Sequence, residues 1–355
     1  MSRTIRRLTL AGSPEARGAL HGQTYADSIR VYAQSRVKLS TAGTRLGRED
    51  AIDLATRCLP HHERYAPDLH AELLAMCAAA GITPAEGVIV GGYTDFLDVV
   101  RAVDMGAPIE DTCTAALVPP SATDGLGGLF TQTWDMHASA TPHVVMLRHE
   151  PEGGLAALTF TTVGCLGQIG MNEAGICVGI NDLSSLGGRL GVTWPFVVRK
   201  VLQQDNLHDA VRAVVEAPLA GGHNYQLMDR HGAGVNIEWM PGRVEVTPLG
   251  DTPIAHSNHC VLPTTFARQA PRPEALQRSS LERLRHADSL LSARPITVEG
   301  LMALTRDETW ICRHPEPPFE YETCGAVVMS PAAGRLWAVW GRPSEGEYEA
   351  FDLRP

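Results

Sequence analysis

The sequence has almost no lysine. Lys38 and Lys200 are the only two, and arginine supplies the rest of the 30 basic residues. Against 40 acidic residues the formal charge is −10. That balance excludes a generic nucleic-acid binder, because phosphate affinity comes from clustered Lys and Arg. Cysteine is present but not paired. None of Cys58, Cys77, Cys113, Cys165, Cys177, Cys260, Cys312 and Cys324 forms a CxxC, so neither a zinc ribbon nor a thioredoxin-type site is indicated. Eight cysteines in 355 residues are too sparse for a disulfide scaffold. No stretch approaches the ~20 apolar residues of a membrane span. Residues 1–12 carry early arginines but no signal-peptide apolar run. A Gly-x-Ser-x-Gly serine elbow is also lacking. These absences predict a reduced, soluble, cytoplasmic protein with no membrane or nucleic-acid partner.

What is there reads as a large folded unit. Hydrophobic residues make up 44% and charged residues 20%, close to the usage of globular chains. The text changes character near Ile109. Upstream, Tyr25–Leu39, Glu49–Cys58 and Pro67–Ala80 carry apolar residues at helical spacing, and Ser13 before Pro14 reads as an N-cap. His61-His62 reads as exposed. Downstream, short apolar or alternating runs separated by glycine-rich turns predict strands over Cys113–Val118, Leu129–Trp134, Val144–Arg148, Leu155–Thr162 and Ile176–Ile180. Helices are expected at Pro195–Gln204, Leu207–Glu216 and Ser280–Leu291. Further strands are expected at Asn224–Met228, Val235–Met240, Arg243–Thr247, Ala326–Met329 and Leu336–Trp340. Residues 262–278 read as an exposed loop. Strands, then helices, then strands again predict α+β layers. Gly125-Leu126-Gly127-Gly128 is a hairpin turn, because no helix follows it as a nucleotide fingerprint requires.

Cys113 is the informative cysteine, although a free Cys is usually a small buried hydrophobe. It opens the β half in Asp111-Thr112-Cys113-Thr114-Ala115, and Gln132-Thr133-Trp134-Asp135 returns about twenty residues later. Gly167-Gln168-Ile169-Gly170-Met171-Asn172-Glu173-Ala174-Gly175, Gly179-Ile180-Asn181-Asp182-Leu183 and His256-Ser257-Asn258-His259 follow. His256, His259 and Cys260 form a rival metal-ligand set, but three-residue His spacing suits a helix and this stretch is loop-like.

In this order, opened by Gly12-Ser13-Pro14, Arg17-Gly18 and His21-Gly22 and closed by Gly341-Arg342-Pro343, the chain resembles the isopenicillin N acyltransferase family. These are N-terminal-nucleophile hydrolases related to the choloylglycine hydrolases. The resemblance implies a four-layer αββα sandwich in one integrated domain. It also implies self-cleavage between Thr112 and Cys113, giving a mainly helical 1–112 piece and a β-rich 113–355 piece that stay together as a heterodimer. Thr112 stands where the family usually has Gly. An unprocessed, non-catalytic small-molecule binder of the same fold therefore remains the alternative.

The chemistry so implied joins nucleophile and base in one residue. A thiol of pKa about 8.5 sits beside a freed α-amine of pKa about 8. Asp135 is expected to orient that amine, and Asn258 to face the oxyanion. Gln132 points to the substrate side, although strand alternation puts it on the face opposite Asp135. Asn181 is either near the nucleophile or a turn-forming Asn. Arg283 either reaches the cysteine region or lies on a solvated helix surface, and it cannot share a face with Arg285. The donor is a small-molecule acyl group, with acyl-CoA or another acyl thioester among the candidate substrates, and an amine or water accepts it. No cofactor is called for. Arg268, Arg272, Arg278 and Arg283 would make either a basic mouth for an anionic carrier or a solvated loop. Further oligomerisation is left open.

Overall fold

The computed structural model describes residues 4–109, 113–317 and 320–353. In chain order the strands are β1 (Arg7–Gly12), β2 (Thr114–Val118), β3 (Leu129–His137), β4 (Val144–Pro151), β5 (Ala157–Thr162), β6 (Ile169–Asn172) and β7 (Cys177–Asp182). They continue as β8 (His223–Met228), β9 (Gly234–Met240), β10 (Arg243–Pro248), β11 (Ile254–His256), β12 (Tyr321–Ser330), β13 (Arg335–Trp340) and β14 (Glu349–Asp352). The helices are α1 (Pro14–Thr24), α2 (Ala26–Ser40), α3 (Arg48–Tyr65), α4 (Pro67–Ala80), α5 (Pro84–Gly91), α6 (Tyr93–Arg101), α7 (Trp194–Val201), α8 (Leu207–Val215), α9 (Pro263–Phe266), α10 (Glu274–Leu290) and α11 (Val298–Thr305).

Two sheets result. One has eight strands in the order β1-β4-β5-β6-β7-β8-β9-β10, and the other has six in the order β11-β2-β3-β12-β13-β14. Every pairing is antiparallel except β1 with β4. The sheets face each other through residues such as Phe130, Trp134 and Ile180. Helices α1, α7 and α8 lie against the eight-stranded sheet, with α2–α6 packed around them, and α10 and α11 cover the six-stranded sheet. The molecule is thus the four-layer αββα sandwich that the sequence resemblance implied. On the α11 side, Leu301 and Leu304 bury against Leu129 and Val328, and each such leucine contributes about 1.5–3 kcal/mol.

Local chemistry sets the element ends. Ser13 Oγ accepts from Ala16 N at 3.3 Å with Pro14 in the first helical turn of α1, as an N-cap should. Thr83 and Glu86 cap α5 reciprocally. Helices α1 and α4 pack so closely that a Cβ on Gly18 would sit 2.1 Å from the Glu72 carbonyl oxygen.

Three expectations need correcting. Helix α3 runs on through Pro60, and His62 is fully buried, not exposed. Its Nε2 lies 2.9 Å from Thr193 Oγ1 and its Nδ1 3.0 Å from the Cys58 carbonyl oxygen, so tertiary partners draw the ring in. The segment 262–278 is not simply a loop, because Thr265 is buried in α9 and α10 already starts at Glu274. The Thr265 hydroxyl donates to buried Glu238, which holds this proline-rich stretch inward. Finally, the stretch upstream of Cys113 gives an edge strand as well as helices, since β1 pairs with β4.

One buried ion cluster ties the stretch before Cys113 to the stretch after it. Glu72 on α4 takes Arg17 from α1 at 2.7 Å and Arg199 from α7 at 2.8 Å. Burial pushes the Glu72 carboxyl up, but Arg199 and Arg17 outweigh it and hold its pKa below the usual value. A depressed carboxylate stabilises the fold above its unfolded pKa, and that contribution is lost as pH falls through the folded one. Glu72→Gln leaves two arginines buried without their anion. It should lower unfolding free energy by about 3–5 kcal/mol at pH 7. In urea titrations the gap to the parent should narrow below pH ~4.

Candidate active site

Cys113 lies immediately before β2, 7% exposed, at the edge of the core between the sheets. The pairing of β2 with β3 brings the returning strand alongside. Asp135 N approaches Cys113 Sγ at 3.4 Å, and Sγ lies 3.7 Å from the Asp135 carbonyl oxygen. Thr112, the other residue of the expected cut, lies outside the described residues.

Helix α10 contributes the central cation. Arg283 is 0% exposed. Its Nη1 donates to the Cys113 carbonyl oxygen and, at 3.1 Å, to Thr114 Oγ1. Its Nη2 donates to Asn258 Oδ1 at 2.9 Å. Of the two alternatives for Arg283, the solvated surface is therefore excluded. Arg285 is the one on the surface, paired with Glu282. The planar guanidinium fork suits this task, because it fixes several acceptors in one plane.

Asn258 follows β11 and is 0% exposed. Its backbone N donates to Ser280 Oγ at 2.9 Å, and its side-chain Nδ2 donates to the Asp182 carbonyl oxygen at 3.1 Å. An amide nitrogen carries two protons, so a second donor remains for an incoming oxygen. Asn181, on β7 just before Asp182, is also buried. Its Oδ1 accepts from Asn224 at 3.3 Å, while its Nδ2 has no partner among the described residues. A buried donor without an acceptor is uncommon.

Asp135 is 1% exposed, and its carboxylate oxygens have no hydrogen bond of good geometry among the described residues. Burial raises its pKa to about 7, against the pull of Arg283, the Thr323 hydroxyl, Arg313 and the Thr133 hydroxyl. Gln132, by contrast, is spent between the sheets. Its Oε1 accepts from Ile180 N at 3.0 Å and its Nε2 donates to the Ile180 carbonyl oxygen. It clamps β3 to β7.

The other seven thiols are held in the neutral form. Burial pushes Cys58 and Cys165 to about 11 and Cys77, Cys177 and Cys324 to about 12, and raises Cys260 and Cys312 as well. Thiols so raised are poor nucleophiles. The rival ligand set is also occupied by protein. His256 Nε2 faces Glu238 at 2.9 Å and His259 Nδ1 faces Ser280 Oγ at 2.8 Å. Among the described residues no group of three or more His, Cys, Asp or Glu side chains could hold a metal ion. Of the four arginines of the suggested basic mouth, Arg268 and Arg278 are exposed, Arg272 donates to the Asn258 carbonyl oxygen, and Arg283 donates to the Cys113 carbonyl oxygen.

Sequence reasoning did not single out the supports of this site: Glu238, Ser280, Thr323 and the Asp182 carbonyl. Glu238 alone carried a signal, as a carboxylate in the otherwise apolar end of β9. The Glu238–His256 pair anchors the loop that carries Asn258.

A buried thiol, a carboxyl of raised pKa and two amide donors on a two-sheet sandwich suit the class of acyl-transfer and amide-hydrolysis proteins. The chain belongs to the acyl-coenzyme A:6-aminopenicillanic acid acyl-transferase family, whose model matches residues 122–345. It is 23% identical over 350 residues to the 40 kDa form of the acyl-coenzyme A:6-aminopenicillanic-acid-acyltransferase of Emericella nidulans, covering 95% of this chain and 93% of that protein. Among solved structures it is similar to a mutant of conjugated bile acid hydrolase from Clostridium perfringens. The TM-score there is 0.46 at 12% identity, covering 68% of this chain and 92% of that one. It is also similar to penicillin V acylase from Agrobacterium tumefaciens, with TM-score 0.41 at 12% identity, covering 68% and 86%.

A raised carboxyl pKa stabilises the protonated native form. Its contribution is present below the unfolded value, ~3.9, and is lost as pH rises toward about 7. In a Cys113→Ala background, Asp135→Asn should therefore raise the thermal midpoint at pH 8 and leave it nearly unchanged at pH 4. Equal effects at both pH values would contradict the shift.

Proposed function

We propose that the chain is a self-processing cysteine acyltransferase or amidohydrolase that makes or breaks an amide bond on a small molecule. The observation that supports it best is the convergence of Arg283 on both the Cys113 carbonyl and Asn258, beside the buried Asp135 carboxyl. In this reading water is consumed at the 112–113 bond, leaving a carboxylate on Thr112 and an α-amine on Cys113. The pieces 1–112 and 113–355 stay together through the β1–β4 pairing and the Arg17–Glu72–Arg199 cluster.

The α-amine takes the proton of Sγ, which attacks the acyl carbonyl. Asp135 has no other partner of good geometry among the described residues, so the new ammonium supplies the counter-charge its burial lacks. The second proton of Asn258 Nδ2 and the Nδ2 of Asn181 stabilise the developing oxyanion. The oxyanion collapses, expels the thiol or amine leaving group with the proton held by the α-amine, and leaves a thioester on Cys113. An amine acceptor then regenerates the thiol and forms an amide, or water does so and forms an acid. Acyl-CoA or another acyl thioester is the donor that the family name favours.

Intact mass of the purified protein should give two polypeptides, the larger beginning at Cys113. Cys113→Ala should give one uncut chain without acyl-enzyme formation or turnover. Cleavage that persists in this variant rules out Cys113 as the nucleophile, and an uncut parent supports a non-catalytic binder. An acyl thioester offered with a panel of amines separates the two activities. Amide products identify a transferase, and free acid alone identifies a hydrolase.

A further inference from the structure

Helix α6 precedes Cys113 in the chain, and its two acids, Asp95 and Asp98, are buried. Asp98 Oδ2 accepts from Ser185 N at 2.7 Å and from Gly222 N at 2.9 Å. One carboxylate oxygen thereby ties the loop leaving β7 to the turn entering β8. Its Oδ1 pairs with Arg101. Asp95 Oδ2 accepts from Trp194 N at 2.6 Å, and its Oδ1 lies 2.7 Å from His223 Nδ1. The far side of that ring, Nε2, faces Asp182 Oδ1 at 3.8 Å and Thr94 Oγ1 at 3.4 Å. A Cβ on Gly221 would stand 2.7 Å from Asp95 Oδ1 and 2.9 Å from Asp98 Oδ2, so the backbone of this turn is pressed onto the two acids.

The loop they hold is strained. Ser184 has φ 46° and is the one non-glycine residue with positive φ among those described. Such a conformation persists only where its surroundings over-determine it. Here Asp182 Oδ2 accepts from Ser184 N at 3.2 Å and from Ser184 Oγ at 2.8 Å. The carbonyl of the same Asp182 receives Asn258 Nδ2. A continuous path therefore runs from α6 through the 182–185 loop to the amide of Asn258.

We propose that Asp98, Asp95 and His223 are positioning residues that aim Asn258 at the oxyanion by fixing the Asp182 carbonyl. The inference rests on the reading of Asn258 given above. It makes the 1–112 piece part of the acylation machinery and not only a cover. If the Asp182 carbonyl shifts, Asn258 keeps Arg283 at its oxygen but loses the acceptor that sets the rotation of its nitrogen. Displacements of about 1 Å in such a donor cost on the order of 100-fold in rate.

The test uses purified, cleaved enzyme, with active sites counted by intact mass, and a short-chain acyl thioester followed by loss of its absorbance. Asp98→Ala should lower kcat about 10- to 100-fold with little change in KM. Asp98→Asn, which keeps an oxygen for the two amides, should recover part of the loss. Alkylation of Cys113 by iodoacetamide expels iodide and forms no oxyanion, so its rate should match the parent's. Combined with Asn258→Ala, the Asp98 variant should cost no more than Asn258→Ala alone. Additive losses, or alkylation slowed in step with kcat, would overturn the inference. Parental turnover in Asn258→Ala would instead overturn the role of Asn258 itself. Should Asp98→Ala fail to fold, His223→Gln enters the same cycle with the same criteria.

Discussion

A fully buried guanidinium organises this molecule's candidate site. An arginine away from water is tolerated only when its donors are satisfied, and Arg283 meets that demand with the Cys113 carbonyl, Thr114, Asn258 and Ser279. To satisfy it, three separate parts of the chain must meet at one point: the start of β2, the loop after β11 and the middle of α10. The backbone of Cys113 and the side chain of Asn258 are thus fixed relative to each other by one rigid plane. Arginine is suited to this where lysine is not, because its fork holds directions as well as charge.

Around that cation the electrostatics are graded by burial. Burial pushes Cys58, Cys77, Cys165, Cys177, Cys260, Cys312 and Cys324 away from the thiolate form, while Cys113 lies at the start of β2 beside Asp135. Asp135 itself sits near neutrality in pKa because burial and Arg283 pull in opposite directions. A carboxyl so poised responds strongly to any new positive charge placed next to it. Elsewhere the same principle serves stability, as in Glu72 between two arginines. The two carboxyls are both buried. They differ in sign of shift because one has two hydrogen-bonded cations and the other has an arginine that is committed to different acceptors.

Much of this was legible in the chain text. The helix over Pro67–Ala80 follows from periodicity, since it buries one face, and the strands over Leu129–Trp134 and Asn224–Met228, buried on both faces, show as short runs between turn signals. Cys113, Asp135 and Asn258 stood out from the ordered motifs around them. The short elements were not readable. Strand β1 pairs with the distant β4, Arg7 opposite Met146, and β11 has only three residues. His62 reads as exposed between Pro60 and Glu63 because nothing local announces Thr193. Gln132 carries an amide that looks fit for substrate, and only the facing sheet reveals that Ile180 uses both its atoms.

The sequence by itself determined the layered α+β class and the family, and it named Cys113, Asp135 and Asn258 as candidates, because periodicity and motif order are written along the chain. Tertiary structure decided the fates of Arg283, Gln132 and Asn181, and it alone disclosed the path from Asp98 to Asn258. Those roles depend on which polar groups lose their water together. That is settled by the packing of distant segments, and no residue's neighbours in the chain encode it.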